Sequence, residues 1–332
     1  MKTIKMNAAI NTRFGSPEHL KIIQVPIPEP KEDELLVKVK ASSVTKADTM
    51  MRRGIPKFSR LFIGVRKPKI KEMGTGFSGI VHKLGKNVTR YKIGDEVFGE
   101  TGMAFGANAE FLIIKSSGVV MPKPGFLSFS DAATITDGFL TSFNFLQEMG
   151  KIKKGDQVLI IGASGSLGTA AIQIAKHYGA IVTGVSSGKN EKLVRRLGAE
   201  YHIDYTKIQY NNNNNNNKVK YDIIFDTVGV SSFSKSSNIL SRKGIYLSPV
   251  LNLRLLFDML LTSFSSERNA KFSATGLLDS NKLKKMLTII LEIMEASKMK
   301  VVIDKKYSLK EIQEAHSYVD TSRKVGNIIL VA

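Results

Sequence analysis

The chain has 332 residues, 42% of them hydrophobic and 23% charged, the make-up of a globular protein with two ordinary domains and a substantial core. It contains no cysteine, which excludes disulfides, cysteine-ligated metals and thiol nucleophiles together, and its five histidines are scattered without metal-ligand spacing. The formal charge of +20 favours phosphate-bearing ligands in general, but the cations are spread along the chain and not gathered with aromatics, so no nucleic-acid partner is expected.

Residues 1–124 are rich in short strands and turns. The segment LLVKVKA at 35–41 alternates apolar and charged positions, as a half-buried strand does. Prolines at 26, 28 and 30 predict an extended connector, and the frequent glycines of 74–106 predict compact β structure with tight turns. Residues 91–98 read as a turn feeding a strand. After Pro122 and Pro124 the character changes to helical segments alternating with short apolar strands, predicted at 158–161, 181–185, 201–203, 222–225, 245–247 and 271–274. Six such strands predict an α/β domain built on a doubly wound, six-stranded parallel sheet of Rossmann type.

The key stretch is 158–180, VLIIGASGSLGTAAIQIAKHYGA. It reads as strand, glycine turn and helix, with Leu167, Ala171, Ile174 and Tyr178 on the helix's apolar face. Ser164, Gly165, Ser166, Leu167 and Gly168 form the turn, which would present unpaired N–H groups and a helix dipole to a pyrophosphate. The dinucleotide fingerprint is incomplete, because Ala163 holds its first glycine position. Asn190 opens a helix that carries Leu193, Val194 and Leu197 and ends at Gly198. The seven asparagines at 211–217 have nothing to bury and predict a disordered surface loop. Residues 281–297 are an amphipathic helix, and Ser308 to Glu311 form a capping box before a helix carrying Ile312, Ala315 and Val319. The final strand, 327–331, breaks the strand–helix alternation and is expected to pack back on the N-terminal domain. The expected division is 1–124, 125–278 and 279–332. Residues 251–261, the most apolar stretch, are interrupted by Arg254 and Asp258, so no membrane partner and a cytoplasmic location are expected.

The residues after the second parallel strand bear on the cofactor. An NAD site would place an acid there to hold the ribose 2′-hydroxyl. Here the strand runs into Ser186, Ser187, Gly188, Lys189 and Asn190, hydrogen-bond donors and a cation with no carboxylate before Glu191. That set suits a 2′-phosphate, so NADP(H) is expected in preference to NAD(H), with Ser186, Ser187 and Lys189 as its ligands.

Blocks along nearly the whole chain have a familiar order: TRFGSPEHL at 12–20, ASSVTKAD at 41–48, VTRYKIGDEVFG at 88–99, the turn at 162–171, LGAEYHIDY at 197–205, YDIIFDTVG at 221–229 and GNIIL at 326–330. On these residues the sequence resembles the zinc-independent quinone oxidoreductase branch of the medium-chain dehydrogenase/reductase superfamily, in which an alanine at the first fingerprint position is common. The resemblance implies a GroES-like, mainly β catalytic domain with the Rossmann domain inserted in it, and a homodimer that pairs the last Rossmann strand. It implies that Tyr205 meets the adenosine end of the cofactor, that Val228, Gly229 and Leu247 flank the cofactor, that Thr136 and Thr141 line its nicotinamide side, and that Asn327 reaches it from the tail. Zinc-dependent relatives carry metal ligands at positions that correspond to Thr45, Thr75 and Thr136, so no zinc is expected. Zinc-free relatives carry asparagine at the position of Thr45 and aspartate at that of Gly76.

Without a Lewis acid, hydride addition to a conjugated acceptor is easier than simple alcohol oxidation, because the anion formed is delocalised. The expected activity is NADPH-dependent reduction of a quinone or an α,β-unsaturated carbonyl, with Thr45 and Lys46 bonding the acceptor oxygen. Two alternatives stay open: a non-catalytic NADPH-binding regulator, and an oxidoreductase that also binds RNA. A hydrolase is a poor fit, since Ser164 lacks its G-x-S-x-G frame.

Overall fold

The computed structural model describes residues 4–57, 60–208, 210, 219–263 and 267–331, so the asparagine tract at 211–217 lies outside the described residues. The chain divides into two units, one of Met1–Asp137, Gly276–Leu291 and Val301–Ala332, the other of Gly138–Thr275 and Glu292–Lys300. The first crossing falls after Asp137, not near Pro124, because helix Phe129–Ile135 belongs to the β structure. Ala133 of that helix is buried with Ala41 and Ile329, and the Ser78 hydroxyl donates to the Phe129 carbonyl at 2.5 Å.

In the first unit, β1 (Lys5–Asn11) and β2 (Leu20–Pro26) pair antiparallel. They are followed by β3 (Glu34–Val44), helix α1 (Lys46–Arg53), β4 (Gly76–Leu84), β5 (Glu96–Glu100), β6 (Phe111–Lys115), β7 (Val119–Pro122) and helix α2 (Phe129–Ile135). The alternation in β3 works as the pattern requires: Leu35, Val37 and Val39 are buried with Phe77, Val81 and Val97, while Lys38 and Lys40 face solvent.

The second unit contains helix α3 (Gly138–Phe143), β8 (Gln157–Ile161), helix α4 (Ser166–His177), β9 (Ile181–Ser186), helix α5 (Glu191–Arg196), β10 (Tyr201–Asp204), β11 (Tyr221–Asp226), β12 (Leu240–Leu247), helix α6 (Leu253–Ser263) and β13 (Asn269–Lys271). Its six strands form a wholly parallel sheet in the order β10-β9-β8-β11-β12-β13, the doubly wound arrangement. The last strand lies earlier than 271–274, because Asn269, Ala270 and Lys271 take the register against Ile245, Tyr246 and Leu247. Ser273 and Thr275 instead accept hydrogen bonds from Asn144 Nδ2 at 3.1 and 3.0 Å.

The chain ends with helix α7 (Ser280–Ala296), β14 (Ile303–Ser308), helix α8 (Ile312–Asp320) and β15 (Asn327–Val331). β15 pairs antiparallel with β3, register Ile328 to Val44, and parallel with β14, completing a seven-stranded sheet in the first unit. Ser308 and Glu311 form the capping box, which opens a 3-10 turn before α8. Ile312, Ala315 and Val319 of α8 are buried against Leu20, Val44 and Leu330. Among the described residues no helix is long and apolar enough to cross a membrane.

Candidate functional site

Doubly wound sheets bind ligands where the winding reverses, here at the carboxyl ends of β8 and β11. The turn after β8 is tight. A Cβ on Gly168 would lie 2.7 Å from Ala163 Cα, so a side chain there would force strand and helix apart. Gly165 is different: it caps α4 with extended backbone and no side-chain cap bond, and a Cβ on it would meet nothing nearer than the Gly162 carbonyl at 3.4 Å. The protein's own packing therefore leaves room in front of the first turn of α4, where Leu167 and Gly168 carry N–H groups without intrahelical acceptors. Ser142 of α3 holds that turn in place by donating to the Leu167 carbonyl at 2.8 Å, and Thr141, partly exposed, lies on the same helix.

Across the crevice, the loop after β11 is organised by Asp226, which composition and spacing did not single out. Its carboxylate is wholly buried and accepts from the backbone of Val228 (3.1 Å), Gly229 (2.8 Å) and Ser231 (2.7 Å), and from the Tyr246 hydroxyl (2.9 Å). Burial and the Asp226 charge both push the Tyr246 phenol up, so it stays protonated as a donor. Thr227 ties the loop to β8 through the Ile161 carbonyl at 2.8 Å. Val228 is left 44% exposed at the crevice, whereas Leu247 is wholly buried and its side chain serves the sheet's core.

At the end of β9, Ser187 is half-buried, its hydroxyl accepting from Asn190 Nδ2 at 3.4 Å, and Lys189 is exposed. Ser186 is buried, with its hydroxyl against His202 Nε2 at 2.9 Å and the Ser187 carbonyl at 3.2 Å. Ser164 accepts from Asn190 Nδ2 at 2.9 Å, which links the glycine turn to this loop. Tyr205 is 59% exposed beyond β10. Beside it stands an acid that sequence reading passed over. The parallel register sets Asp204 opposite Ser186, and its carboxylate accepts from the Thr206 hydroxyl (2.7 Å) and N–H (3.0 Å). Those bonds, together with one from Gly188 N–H and the Lys207 charge, hold it below the ordinary carboxylate range.

The remaining residues belong to the first unit. Thr45 caps α1: its hydroxyl donates to Asp48 Oδ2 at 2.7 Å and accepts from Asp48 N–H at 3.1 Å. A hydroxyl spent in both directions and 6% exposed is a structural cap, not a solvated turn. Lys46 is exposed and reaches Ser322 Oγ at 3.3 Å, and Asn327 is buried, donating to the Val302 carbonyl at 3.0 Å. Thr136 lies at the end of α2, where a Cβ on Gly76 would be 3.1 Å from its hydroxyl and 2.7 Å from both Ser43 Oγ and the Ala133 carbonyl. A side chain at Gly76 would have to displace the Ala133 carbonyl.

Nearby carboxyls influence one another. Burial, offset in part by the Thr45 bonds and reinforced by Asp137, pushes Asp48 up to about 6, and burial with the charges of Asp137 and Asp48 pushes Glu100 up to about 8. A raised carboxyl binds its proton more tightly folded than unfolded, so Glu100 makes stability fall as pH rises from its ordinary 4.5 towards 8. Between pH 6.5 and 8, wild type should lose stability relative to Glu100→Gln by at most about 1.4 kcal/mol per pH unit, read from paired denaturant titrations. Parallel pH profiles for the two proteins would remove this assignment.

An alcohol dehydrogenase GroES-like domain model matches residues 31–125, and a zinc-binding dehydrogenase model matches residues 197–330. A 2-methylene-furan-3-one reductase of Solanum lycopersicum is 30% identical over 98% of this chain and 79% of its own length. The chain belongs to the quinone oxidoreductase-like branch of the medium-chain dehydrogenase/reductase superfamily. Another member, an NADPH-dependent alkenal/one oxidoreductase of Arabidopsis thaliana, is 28% identical over 98% of this chain and 79% of its own. The quinone oxidoreductase from Coxiella burnetii superposes with a TM-score of 0.85 at 27% identity, covering 99% of this chain and 100% of that one. Among the described residues no group of three or more His, Asp or Glu is arranged to hold a metal ion, and the Thr45 hydroxyl is already bonded to Asp48.

Proposed function

We propose that the protein transfers hydride from NADPH to a quinone or an α,β-unsaturated carbonyl, without zinc. The observation that carries the reading is the space left in front of α4: Gly165 has no packing reason to be glycine, and a pyrophosphate at the first turn of the helix supplies one. The activities named for the relatives, furanone and alkenal/one reduction and quinone oxidoreduction, agree with it.

When bound, NADPH supplies the hydride. Ser187 and Lys189, with Tyr205 alongside, receive the 2′-phosphate end, while Asp204 Oδ1 is taken up by the Thr206 hydroxyl and N–H. Val228, Gly229 and Thr141 flank the nicotinamide. Lys46 donates to the acceptor oxygen, and Thr45 fixes the start of the helix that carries Lys46. β13 ends the parallel sheet without a further strand among the described residues, and we assign this edge to a second copy in a cytoplasmic homodimer.

NADPH at one hundred times its dissociation constant should stabilise the protein by about 2.7 kcal/mol, and NADH at that concentration by much less. Equal shifts would remove Ser187 and Lys189 from the phosphate site. Oxidation of NADPH should then follow with quinones or enones and not with simple aldehydes; binding without turnover of any acceptor would favour the regulatory reading.

A further inference from the structure

The first unit contains a cavity of about 850 Å³ that none of the residues discussed above explains except one. Its walls come from β1, β2, β6, the loop at 101–109 and the segment around Gly276, and Val25, Met103, Phe105, Phe111, Leu277 and Leu283 give them their apolar character. That volume lies in the range of small-molecule sites, which combine apolar walls with a few placed polar groups. Met103 and Leu277 are 49% and 65% exposed, large apolar side chains held at the cavity in water. Neither Thr45 nor Thr136 lines it.

One polar group of the wall is Glu100. It ends β5 opposite Gly76 of β4, and a Cβ on Gly276 would lie 2.8 Å from its Oε1. No hydrogen bond or ion pair to its carboxyl occurs among the described residues; what it senses is the charge of Asp137 and Asp48. Asp48 is the residue bonded to Thr45, and Asp137 follows Thr136 in sequence, so Glu100 joins the apolar cavity to the polar cluster at the start of α1. Because the carboxyl holds its proton at neutral pH, it offers a donor and not a charge, which apolar walls tolerate.

We propose that this cavity is the site of the apolar chain of a chain-bearing acceptor, with the Glu100 carboxyl donating to the acceptor's ring or enone oxygen a second hydrogen bond besides that of Lys46. The inference names a substrate class for the reductase reading and rests on that reading: long-chain quinones or enones, in preference to bare rings. An isoprenoid or alkyl chain matches the walls in chemistry, and an uncharged donor matches a carbonyl oxygen; the other acidic residues of the wall, Glu34 and Glu72, outnumber its one basic residue, Lys115, which disfavours an anionic ligand.

The test is calorimetric titration of the full chain with two probes, a dimethoxy-benzoquinone bearing a decyl chain and the same ring bearing a methyl group. The decyl compound should bind at least ten-fold more tightly than the methyl compound. Leu277→Glu and Met103→Glu, both at exposed positions that folding does not depend on, should each reduce that ratio to below two-fold while leaving the thermal shift with NADPH unchanged. Glu100→Gln, which keeps a donor, should retain affinity for both probes, and Glu100→Val should weaken both several-fold. Equal affinity for the two probes in wild type, or a chain advantage that survives both cavity variants, overturns the proposal. NADPH oxidation by the same quinones is measured in parallel, so absence of turnover with the chain-dependent affinity intact counts against the reductase reading, whereas turnover indifferent to chain length counts against the cavity.

Discussion

Replacing Asp226 with alanine should destabilise the protein by about 3–5 kcal/mol, because three backbone N–H groups and the Tyr246 hydroxyl lose their acceptor in a wholly buried site. The two oxygens divide the work: Oδ1 takes Val228 and Gly229, Oδ2 takes Ser231 and Tyr246. Asp226→Asn keeps one oxygen and should therefore lose roughly half as much. Tyr246→Phe removes one donor with its partner's other bonds intact, and should cost about 1 kcal/mol. The same loop presents Val228 and Gly229, so the alanine variant should also lose most of its NADPH thermal shift under conditions where it remains folded. Denaturant titration with and without NADPH measures both effects; an alanine variant within 1 kcal/mol of wild type would mean that water replaces the carboxylate.

Asp320→Ala should destabilise by about 3 kcal/mol, since it leaves a buried guanidinium without its counter-charge. The Arg52 side chain has no exposure, and its two terminal nitrogens donate to Asp320 Oδ2 and the Gly15 carbonyl, while Nε has no partner among the described residues. Asp320 is one-quarter exposed, which limits the loss to the lower part of the range for broken buried pairs. Arg52 also shapes its surroundings: burial and then its charge push His316 down to about 3, so that imidazole is neutral and adds no second cation. Arg52→Met/Asp320→Leu, which removes both charges for apolar side chains, should recover most of the stability lost in Asp320→Ala. If the double variant is no better than the single one, hydrogen bonding and not stranded charge sets the cost. Because Arg52 lies on the helix that begins at Lys46, loss of acceptor turnover should accompany the loss of stability in Asp320→Ala and return in the double variant.

Local periodicity carried the fold a long way. The central parallel strands β8, β9 and β11 are mostly apolar runs, as strands buried on both faces require, and five of the six strands lie where the sequence predicts them. The sixth failed because KFSA at 271–274 is more apolar than NAK at 269–271, and only pairing with Ile245–Leu247 selects the register. The glycine turn and the Ser308–Glu311 capping box were legible because their chemistry is local, satisfied within four residues.

The side chains of the candidate site divide along the same line. Sequence by itself determined which residue types stand at the sheet's edge: a glycine turn facing α4, and Ser187 and Lys189 after the second parallel strand. It could not determine which hydroxyls are free. Ser186 is spent on His202 and Thr45 on Asp48, partners set by burial and by strand register. Asp226 looked like an ordinary strand end until three loop N–H groups and a tyrosine from the next strand converged on it. Glu100 acquires its raised pKa only where the fold encloses it and brings Asp137 and Asp48 near, charges separated from it by dozens of residues in the chain. Secondary structure follows from neighbours in sequence; hydrogen-bond satisfaction and desolvation depend on neighbours in space, and those are decided only when the chain closes.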